Sequence, residues 1–320
     1  MLPGTLTKPA VPRQLHPPKN SLEDQVGNTP LLRLQRIARH EGLSPAVALY
    51  AKAEWFNPSG SIKDRPALNI IRTAEENGEL RPGMTLLDST SGNMGIAYAM
   101  LGAARGYRVK LTLPANASPE RIAILRAYGA DLIFTDPLEG SDGAIIEARR
   151  LAAAGDVQTY YANQYDNPAN WQAHYFTTGN EIWEQTGGEI THFVATLGTS
   201  GTFTGTTRRL RQMNPQIQCI SLQPDSPFHG LEGLKHMPTA IRPGIYDPQV
   251  ADVDASVRTE RAYQMARDLA RLEGLFVGIS SAAAVVGALE VARQLDHGVV
   301  VTILPDNGFK YLSDRFWKEA

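Results

Sequence analysis

The chain has 320 residues, of which 42% are hydrophobic and 20% are charged, and its formal net charge is −2. This is the composition of a soluble globular protein with room for two domains around one cleft, and the near-neutral charge argues against nucleic acid or an anionic membrane surface as a partner. The single cysteine, Cys219, excludes an intrachain disulfide framework, and its place in "QIQCISL" predicts a buried thiol in a strand.

The first 20 residues contain five prolines and lack the apolar segment of a secretory signal, so we expect them to form a flexible arm. No stretch of the chain approaches the roughly 18 consecutive apolar residues that a transmembrane helix needs. The sequence therefore predicts a cytoplasmic protein without a membrane partner.

The first strong helical pattern lies in "NPSGSIKDRPALNIIRTAEENG". Apolar residues recur there at i, i+3, i+4 and i+7 from Ala67, with Pro66 suited to the first turn and Gly78 to the end, so the pattern predicts a helix over about 65–77. Lys63 precedes the positive end of this helix, where a cation is electrostatically unfavourable. Two interpretations are open at this point: an ordinary surface lysine, or an amine whose lowered pKa lets it act as a nucleophile.

Short apolar runs then alternate with helical patterns along the rest of the chain. The predicted strands are "MTLLDST", "YRVKLTLP", "DLIFTD", "THFVATL", "QIQCISLQP" and "GVVVTILPD". The predicted helices are "NMGIAYAMLGAARG", "PERIAILRAYGA", "GAIIEARRLAAAG", "GTFTGTTRRLRQMN", "TERAYQMARDLARLEG" and "AAAVVGALEVARQL". This order predicts an α/β fold of parallel sheets covered by helices, with a boundary near residues 150–165 and ligands beyond the carboxyl ends of the strands. Residues 223–248 contain five prolines and little periodicity, which is typical of a functional cover.

Two of the strand-to-helix loops have the composition of anion-binding sites. In "STSGNMG", hydroxyl groups, small residues and backbone N–H groups at a helix start suit a carboxylate or a phosphate, with an empty turn as an equal alternative. In "LGTSGTFTG", glycines allow a close backbone approach, and Thr199, Ser200 and Thr202 add hydroxyl donors. The second loop is neither a Walker A motif nor a dinucleotide fingerprint, and it suits the phosphate of a permanently bound cofactor.

A third loop, "VGISSAAAVVGA", presents Ser280 and Ser281, which on their own are best interpreted as helix N-caps. The seven histidines show no metal-ligand spacing, so no metal site is predicted, and the lack of a G-x-S-x-G elbow argues against a Ser-His-Asp hydrolase. A reactive lysine, a carboxylate pocket and a phosphate cradle remain. Together these are what a pyridoxal phosphate enzyme acting on an amino acid requires.

Long motifs in the same order then indicate a family. The chain resembles the cysteine synthase family of pyridoxal phosphate enzymes (fold type II) from about residue 21 to residue 313, and most closely its cysteine synthase B and O-phosphoserine sulfhydrylase branch. The shared motifs are "GNTPLLRLQRI", "NPSGSIKDRPAL", "TSGN", "RAYGADLIF", "NPANWQAHYFTTGNEIWEQTGGEITHFVATLGTSGT", "EGLFVGISS" and "KYLS". The resemblance implies two α/β domains, each a mostly parallel twisted sheet covered by helices, with the cofactor in the cleft between them. The smaller domain is expected over residues 45–150 and the larger over residues 21–44 and 151–320.

Matching positions imply the roles of individual residues. Lys63 forms the Schiff base and removes the substrate α-proton, Asn93 hydrogen-bonds the 3′-oxygen of the cofactor, and Ser280 faces the pyridine nitrogen. The 5′-phosphate is expected at Gly198, Thr199, Ser200, Gly201 and Thr202. The amino-acid substrate is expected at Thr90, Ser91, Gly92, Asn93, Met94 and the nearby Gln164.

The implied reaction is β-replacement on an O-activated L-serine, either O-acetylserine or O-phosphoserine. Departure of the leaving group gives an aminoacrylate, to which a sulfur nucleophile such as sulfide or thiosulfate adds, so that L-cysteine or S-sulfocysteine is the product. A serine opposite the ring nitrogen does not hold that nitrogen protonated, which favours elimination over transamination. Members of the family are typically homodimers, and they close a small subdomain over the substrate, here about residues 109–152.

The chain departs from the family pattern at Met94, where the motif TSGNTG has a threonine. A thioether cannot donate a hydrogen bond to a carboxylate, so weaker or altered amino-acid recognition is expected. Lys235 lies where phosphoserine-using relatives carry an arginine, and it would bind a phosphate or sulfonate as a point charge. A solvated loop lysine is the alternative for Lys235, and His236 and Arg242 are weaker candidates for the same role.

Other functions stay open beside this one. A cystathionine β-synthase-like enzyme or a serine/threonine dehydratase shares the cofactor chemistry, but no haem-binding segment and no C-terminal regulatory domain are expected here. Met94 is the one residue that favours another alternative, a catalytically weakened regulatory partner that binds pyridoxal phosphate. Lys63, Asn93, the phosphate loop and Ser280 together favour an enzyme.

Overall fold

The computed structural model describes residues 21–90 and 92–318, so the expected N-terminal arm and Ser91 lie outside the described residues. Within these ranges the strands are β1 (Leu31–Arg33), β2 (Val47–Ala53), β3 (Thr85–Ser89), β4 (Arg108–Pro114), β5 (Asp131–Thr135), β6 (Thr159–Tyr161), β7 (His192–Thr196), β8 (Gln218–Pro224), β9 (Val253–Val257) and β10 (Gly298–Leu304). The helices are α1 (Gln35–His40), α2 (Asp64–Glu76), α3 (Asn93–Arg105), α4 (Pro119–Ala127), α5 (Gly140–Ala153), α6 (Ala169–Phe176), α7 (Thr178–Gln185), α8 (Gly201–Met213), α9 (Thr259–Asp268, continued by a π-helical turn over Leu269–Glu273), α10 (Ile279–Ala292) and α11 (Arg315–Lys318).

The strands form two sheets. The larger sheet has the order β1-β2-β10-β7-β8-β9, and every neighbouring pair is parallel except β1 and β2. The smaller sheet has the order β5-β4-β3-β6 and is parallel throughout. The predicted α/β fold with two mostly parallel sheets is therefore confirmed.

Apolar helix faces cover these sheets. The helix α10 is apolar on nearly every side and packs between the larger sheet and α9. The apolar residues of α2, among them Ile70 and Ile71, join those of α3 in a core against the smaller sheet. A third core around Phe193 and Phe203 fills the opposite face of the larger sheet. In the described ranges, no helix is long and apolar enough to cross a bilayer.

The strand pairing differs from the expected domain boundaries in two places. The strand β2 falls within the expected smaller domain, yet it pairs with β1 and β10 in the larger sheet. The strand β6 falls within the expected larger domain, yet it pairs with β3 in the smaller sheet. The sequence of a short strand does not show with which distant strand it will pair.

Candidate active site

A cavity of about 630 Å³ lies where the two sheets face each other. Its walls come from the loops after β3, β7 and β10, from the starts of α2 and α10, and from the irregular segment after β8. This segment was predicted to be a functional cover. The predicted site residues that line the cavity are Lys63, Thr90, Gly92, Asn93, Met94, Gln164, Gly198, Thr199, Ser200, Thr202, Lys235 and Ser280.

Lys63 is the N-cap residue of α2, which begins at Asp64, one residue before the predicted start. Its half-buried side chain lines the cavity. Burial lowers the pKa of the Lys63 amine below its ordinary value, while the carboxylates of Asp306 and Glu54 act in the opposite direction. A lowered pKa increases the neutral, nucleophilic fraction of the amine at neutral pH, which favours the nucleophile over the surface lysine.

A buried ion-pair network anchors the start of α2. Arg65 donates to Glu54 at 2.7 and 2.8 Å and to Glu181 at 2.6 and 2.8 Å. Lys52 of β2 adds a second cation, with its Nζ 2.7 Å from Oε2 of Glu181. Burial acts to raise the pKa of Glu181, but the two cations lower it to about 2. Side chains from β2, α2 and α7 therefore hold the backbone next to Lys63 in place.

Thr90 shapes the loop between β3 and α3. Its Oγ1 accepts hydrogen bonds from the backbone N–H groups of Gly92 and Gly95, both at 3.1 Å. A Cβ atom at Gly95 would collide with the Thr90 methyl group, so only glycine fits there. With two donors already on its oxygen, the Thr90 hydroxyl keeps its own proton for an acceptor, and a carboxylate in the cavity is a matching ligand.

Gln164 is fixed against the same loop. Its Nε2 donates to the carbonyl of Ser89 at 2.6 Å, and its backbone N–H donates to the Asp88 carboxylate at 3.2 Å. The other oxygen of Asp88 accepts from the backbone N–H of Ser89 at 2.8 Å. Asp88 is fully buried, and burial raises its pKa to about 7 although these hydrogen bonds act to lower it. Asp88 thus joins the loop after β3 to the one after β6.

Met94 has two environments. It is only 2% exposed and belongs to the apolar core against the smaller sheet, yet it also lines the cavity. Its thioether is flexible and donates no hydrogen bond. The wall of the cavity is therefore apolar at this position of the carboxylate loop.

The loop after β7 forms a cradle at the N-terminus of α8. Ser200 directly precedes α8 with a φ of +70°, and its buried hydroxyl has no hydrogen-bond partner among the described residues. Asn170 holds the loop from behind, since its Nδ2 donates to Oγ1 of Thr199 at 3.1 Å. A Cβ atom at Gly201 would collide with the side-chain oxygen of Asn170, which explains the glycine there, although Gly201 is not among the lining residues. A partnerless buried hydroxyl at a helix N-terminus suits an anion.

His174 supports Thr202 at the edge of the cradle. Its Nε2 lies 3.3 Å from Oγ1 of Thr202, and its Nδ1 lies 3.0 Å from Oγ1 of Thr178. Burial, aided by the positive charge of Arg65, lowers the pKa of His174 well below its ordinary range. The imidazole is therefore neutral, and an anion in the cradle meets hydroxyl and backbone donors.

Ser280 is the second residue of α10 and lines the cavity. The interpretation of Ser280 and Ser281 as N-caps is wrong, because Gly278 is the N-cap residue of α10 and no side chain caps this helix. Ser281 instead donates to the backbone carbonyl of Asp306 at 3.0 Å.

Lys235 is buried, with 6% of its surface exposed, and its Nζ lies 2.7 Å from Oδ1 of Asp142 and 5.2 Å from the centre of the Tyr165 ring. The alternative of a solvated loop lysine is therefore wrong. Neither His236 nor Arg242 is among the described residues that line the cavity.

Comparisons with known proteins agree with this geometry. A family described as pyridoxal-phosphate dependent enzymes matches residues 22–306. A cysteine synthase from Aquifex aeolicus (strain VF5) is 50% identical over 298 residues, covering 92% of this chain and 91% of the relative. The chain belongs to the cysteine synthase family of pyridoxal-phosphate dependent enzymes.

Two further comparisons extend this result within the family. Cysteine synthase B from Escherichia coli (strain K12) is 44% identical over 300 residues, covering 94% of this chain and 97% of the relative. The crystal structure of a cysteine synthase from Entamoeba histolytica matches the fold with a TM-score of 0.89 and 33% identity, covering 98% of this chain and 94% of that one.

The cofactor of this cysteine synthase family member is pyridoxal phosphate, and the residues present fit it. The partnerless Ser200 hydroxyl and the N-terminus of α8 form a cradle that suits the 5′-phosphate. Lys63 reaches the same cavity, so one ligand can meet both the amine and the cradle.

A second set of charged residues lies at the cavity and was not predicted from the sequence. Arg121 of α4 forms an ion pair with Glu232 of the segment after β8, and its guanidinium lies 4.7 Å from the centre of the Tyr311 ring. Asp306 and Lys310 are buried just after the carboxyl end of β10. A signal was present in "LPDNGFKYLS", because charged residues directly after a parallel strand lie at the ligand-binding edge of a sheet.

Two further predictions concern metal ions and the cysteine. In the described ranges, no group of three or more His, Cys, Asp or Glu residues is arranged to hold a metal ion. Cys219 is buried in β8, and burial raises the pKa of its thiol to about 11, so the prediction of a core thiol is confirmed.

Proposed function

We propose that the protein is a cysteine synthase that catalyses β-replacement on an O-activated L-serine. The amino-acid donor is O-acetylserine or O-phosphoserine, and the second substrate is a sulfur nucleophile such as sulfide or thiosulfate, which gives L-cysteine or S-sulfocysteine. The observation that carries the proposal is a single cavity lined by the Lys63 amine, the Thr90 loop and the Ser200 cradle. A nucleophilic amine, a carboxylate site and a phosphate site are the equipment that this chemistry requires.

Bound pyridoxal phosphate supplies an electron sink for the negative charge that develops at the substrate α-carbon. In our proposal Lys63 holds the cofactor covalently and, once free, removes the α-proton. The burial that lowers the Lys63 pKa supports both roles, because each needs the neutral amine. Asn93 donates to the 3′-oxygen of the cofactor. The 5′-phosphate binds at Gly198, Thr199, Ser200, Gly201 and Thr202.

The substrate carboxylate binds the loop after β3 in this proposal. The proton that the Thr90 hydroxyl keeps supports this role, as do the backbone N–H groups at the start of α3. Gln164 borders the same loop, and Ser91 belongs to it by position. Met94 provides an apolar contact where a hydroxyl donor is expected, and this alters recognition of the serine donor.

Ser280 faces the ring nitrogen in the proposed arrangement. Its burial at the cavity wall supports this role. A neutral hydroxyl does not hold the nitrogen protonated, so less charge moves into the ring and departure of the β-substituent is favoured.

Lys235 is the proposed contact for an anionic leaving group or sulfur donor. Its burial at the cavity wall supports a binding role, but its ion pair with Asp142 means that an anion must compete for the ammonium group. As a point charge, Lys235 provides attraction without the two-point geometry of an arginine.

We also infer a homodimer in the cytoplasm. Both inferences rest on the family resemblance. Phe176 is 63% exposed and packs edge-on against Tyr175, which contacts Trp171, so this exposed aromatic group suits a subunit contact. Analytical ultracentrifugation at micromolar concentration tests the dimer, and a single monomer species would contradict it.

A regulatory partner that binds the cofactor without efficient catalysis is the second candidate, and Met94 is the observation that favours it. Visible absorption spectra of the purified protein, recorded with O-acetylserine and with O-phosphoserine, distinguish the two. We expect one donor to shift the visible band of the bound cofactor and to yield a cysteine-type product when a sulfur nucleophile is added. A band that neither donor moves favours the second candidate. No cofactor band, even after pyridoxal phosphate is added, would contradict both.

A further inference from the structure

Both polar atoms of the Asn93 side chain contact buried residues of opposite charge. Nδ2 of Asn93 donates to Oδ2 of Asp306 at 2.7 Å, and Oδ1 accepts from Nζ of Lys310 at 2.8 Å. Asp306 is fully buried and Lys310 is 6% exposed. The amide thus lies between a carboxylate and an ammonium group that are both shielded from water.

These two charges specify the orientation of the Asn93 amide. A carboxylate only accepts hydrogen bonds and an ammonium group only donates them. If the amide rotated by 180°, its oxygen would face Asp306 and its nitrogen would face Lys310, so two attractive contacts would become repulsive in a site of low dielectric constant. Nδ2 gives one of its two hydrogens to Asp306, and the other serves the Tyr311 hydroxyl, whose pKa the Asn93 side chain acts to lower, or an acceptor in the cavity that both residues line.

The two charged residues are themselves held in place. Nζ of Lys310 also donates to the backbone carbonyls of Ser59 at 3.0 Å and Gly60 at 3.3 Å. Oδ2 of Asp306 also accepts from the hydroxyl of Tyr311 at 2.7 Å. Because each charge has a second anchor, neither can follow Asn93 if its amide turns.

We propose that Asp306 and Lys310 are positioning residues that hold the second N–H of Asn93 toward the 3′-oxygen of the cofactor. This inference rests on the proposed function, in which Asn93 contacts that oxygen. The ligand class is an electron-rich oxygen on an aromatic ring, which needs a donor. Without either charge the amide can turn and present its own oxygen, which repels the ligand.

Titration of the apoenzyme with pyridoxal phosphate tests the proposal, with the apparent dissociation constant and the visible spectrum of the bound cofactor as readouts. Asp306→Asn and Lys310→Met are each expected to weaken cofactor binding about 3- to 10-fold, the range for one lost hydrogen bond. They are also expected to change the share of cofactor that absorbs in the visible, since this share depends on the hydrogen bond to the ring oxygen. Asp254→Asn is the control, because Asp254 also accepts a side-chain hydrogen bond, from Ser221 at 2.7 Å, but lies on the edge strand β9 and does not line the cavity; it is expected to keep the wild-type spectrum.

A double-mutant cycle with Asn93→Ala shows whether the charges act through Asn93. In the Asn93→Ala background, Asp306→Asn is expected to change the dissociation constant less than twofold and to leave the spectrum unchanged. A full additional loss in that background would overturn the proposal while leaving the role of Asn93 intact. If Asn93→Ala alone changes neither readout, the assignment of Asn93 in the proposed function fails, and the positioning role fails with it. Lys310→Met combined with Asn93→Ala provides a second, independent double-mutant cycle. Circular dichroism of each apoenzyme shows whether the variant is folded.

Discussion

The amine of Lys235 lies 2.7 Å from Oδ1 of Asp142, and this ion pair joins the segment after β8 to the first turn of α5. The second oxygen of Asp142 accepts from the backbone N–H of Ile241 at 2.8 Å. The ion pair between Arg121 and Glu232 connects the same two sides of the cavity with the charges reversed. The segment that carries Glu232 and Lys235 is therefore fixed to both α4 and α5, and Asp142 limits how freely Lys235 can meet an anionic substrate.

Removing the carboxylate of Asp142, which competes with an anionic substrate for Lys235, tests which serine derivative the enzyme prefers. We expect Asp142→Asn to raise kcat/KM for O-phosphoserine about 3- to 10-fold, because a charge-assisted pair that Lys235 must give up is worth about 1 kcal/mol. Lys235→Ala is expected to lower kcat/KM for O-phosphoserine much more than for O-acetylserine. Steady-state kinetics with both donors measure these effects.

The double variant provides the control for donor choice. With Lys235 replaced by alanine, Asp142→Asn is expected to give no gain for O-phosphoserine, because no ammonium group is left to release. Equal losses for both donors in Lys235→Ala would remove Lys235 from the substrate site.

Ser200→Ala tests the phosphate cradle. The Ser200 hydroxyl is buried and unpartnered among the described residues, so its removal is expected to leave the melting temperature of the apoenzyme unchanged or slightly higher. The same change is expected to weaken pyridoxal phosphate binding about 10- to 100-fold, since one hydrogen bond to a charged group is lost. Calorimetry of the apoenzyme and cofactor titration provide the two measurements.

Thr204→Val is the matched control for the cradle. The Thr204 hydroxyl is also buried and unpartnered in the described part of α8, but Thr204 does not line the cavity. Cofactor affinity should stay at the wild-type value in this variant. An equal loss in both variants would show that packing of α8, and not contact with the phosphate, sets the affinity.

Lys63→Ala tests covalent attachment of the cofactor. Reduction of the wild-type holoenzyme with borohydride should add the mass of a reduced pyridoxal phosphate group to the peptide that contains Lys63. The variant should gain no such mass and should lose β-replacement activity by several orders of magnitude, because both the nucleophile and the base are removed. Lys52→Met is the control, since Lys52 is buried in the ion-pair network beside α2 and does not line the cavity. Labelling of another lysine in Lys63→Ala would contradict the assignment.

Met94→Thr tests the unusual residue of the carboxylate loop. A threonine restores a hydroxyl donor, so we expect a lower KM for the serine donor. It also removes apolar volume from the core against the smaller sheet, which is expected to cost about 1–3 kcal/mol of unfolding free energy. Met94→Val is the control, because it removes similar volume without adding a donor. An unchanged KM in Met94→Thr would argue against a role for this position in donor recognition.

Local patterns explain which elements could be predicted from the sequence. The helices α2 and α3 were predicted almost to the residue, because periodic apolar positions and terminal glycines lie within one short window. The strand β2 was not predicted, and its pairing with β1 and β10 brings together segments that are far apart in the sequence, which no local pattern indicates.

In the candidate site, too, features with a local sequence pattern could be predicted, and contacts between residues far apart in the sequence could not. The loops at Thr90 and Ser200 have compositions that are recognisable in isolation, and the resemblance added the roles of Lys63, Asn93 and Ser280. The contact between Asn93 and Asp306 joins residues 213 positions apart, so no local pattern predicts it. The burial of Lys235 was equally hidden, because it depends on Asp142 from the other side of the cavity.

Asp88 provides a test of how burial at the site affects stability. Burial raises its pKa to about 7 in the folded protein from the ordinary value of 3.8. Between these two pKa values the folded state keeps a proton that the unfolded state releases. The contribution of Asp88 to the free energy of unfolding therefore falls as the pH rises from about 4 to 7. Above pH 7 this destabilising contribution is constant. Asp88→Asn has no such titration but loses one acceptor for the backbone N–H groups of Ser89 and Gln164.

We therefore expect Asp88→Asn to be less stable than wild type at pH 5. Between pH 5 and pH 8 the free energy of unfolding of the variant is expected to rise by about 2 kcal/mol relative to that of wild type, since a pKa shift contributes at most about 1.4 kcal/mol per unit. Urea denaturation of both proteins at pH 5, 6.5 and 8 measures this difference. Asp131→Asn, an exposed aspartate at the start of β5, controls for the loss of one negative charge. A stability difference that stays constant over this pH range would show that Asp88 is ionised in the folded protein throughout, so that its hydrogen bonds outweigh burial.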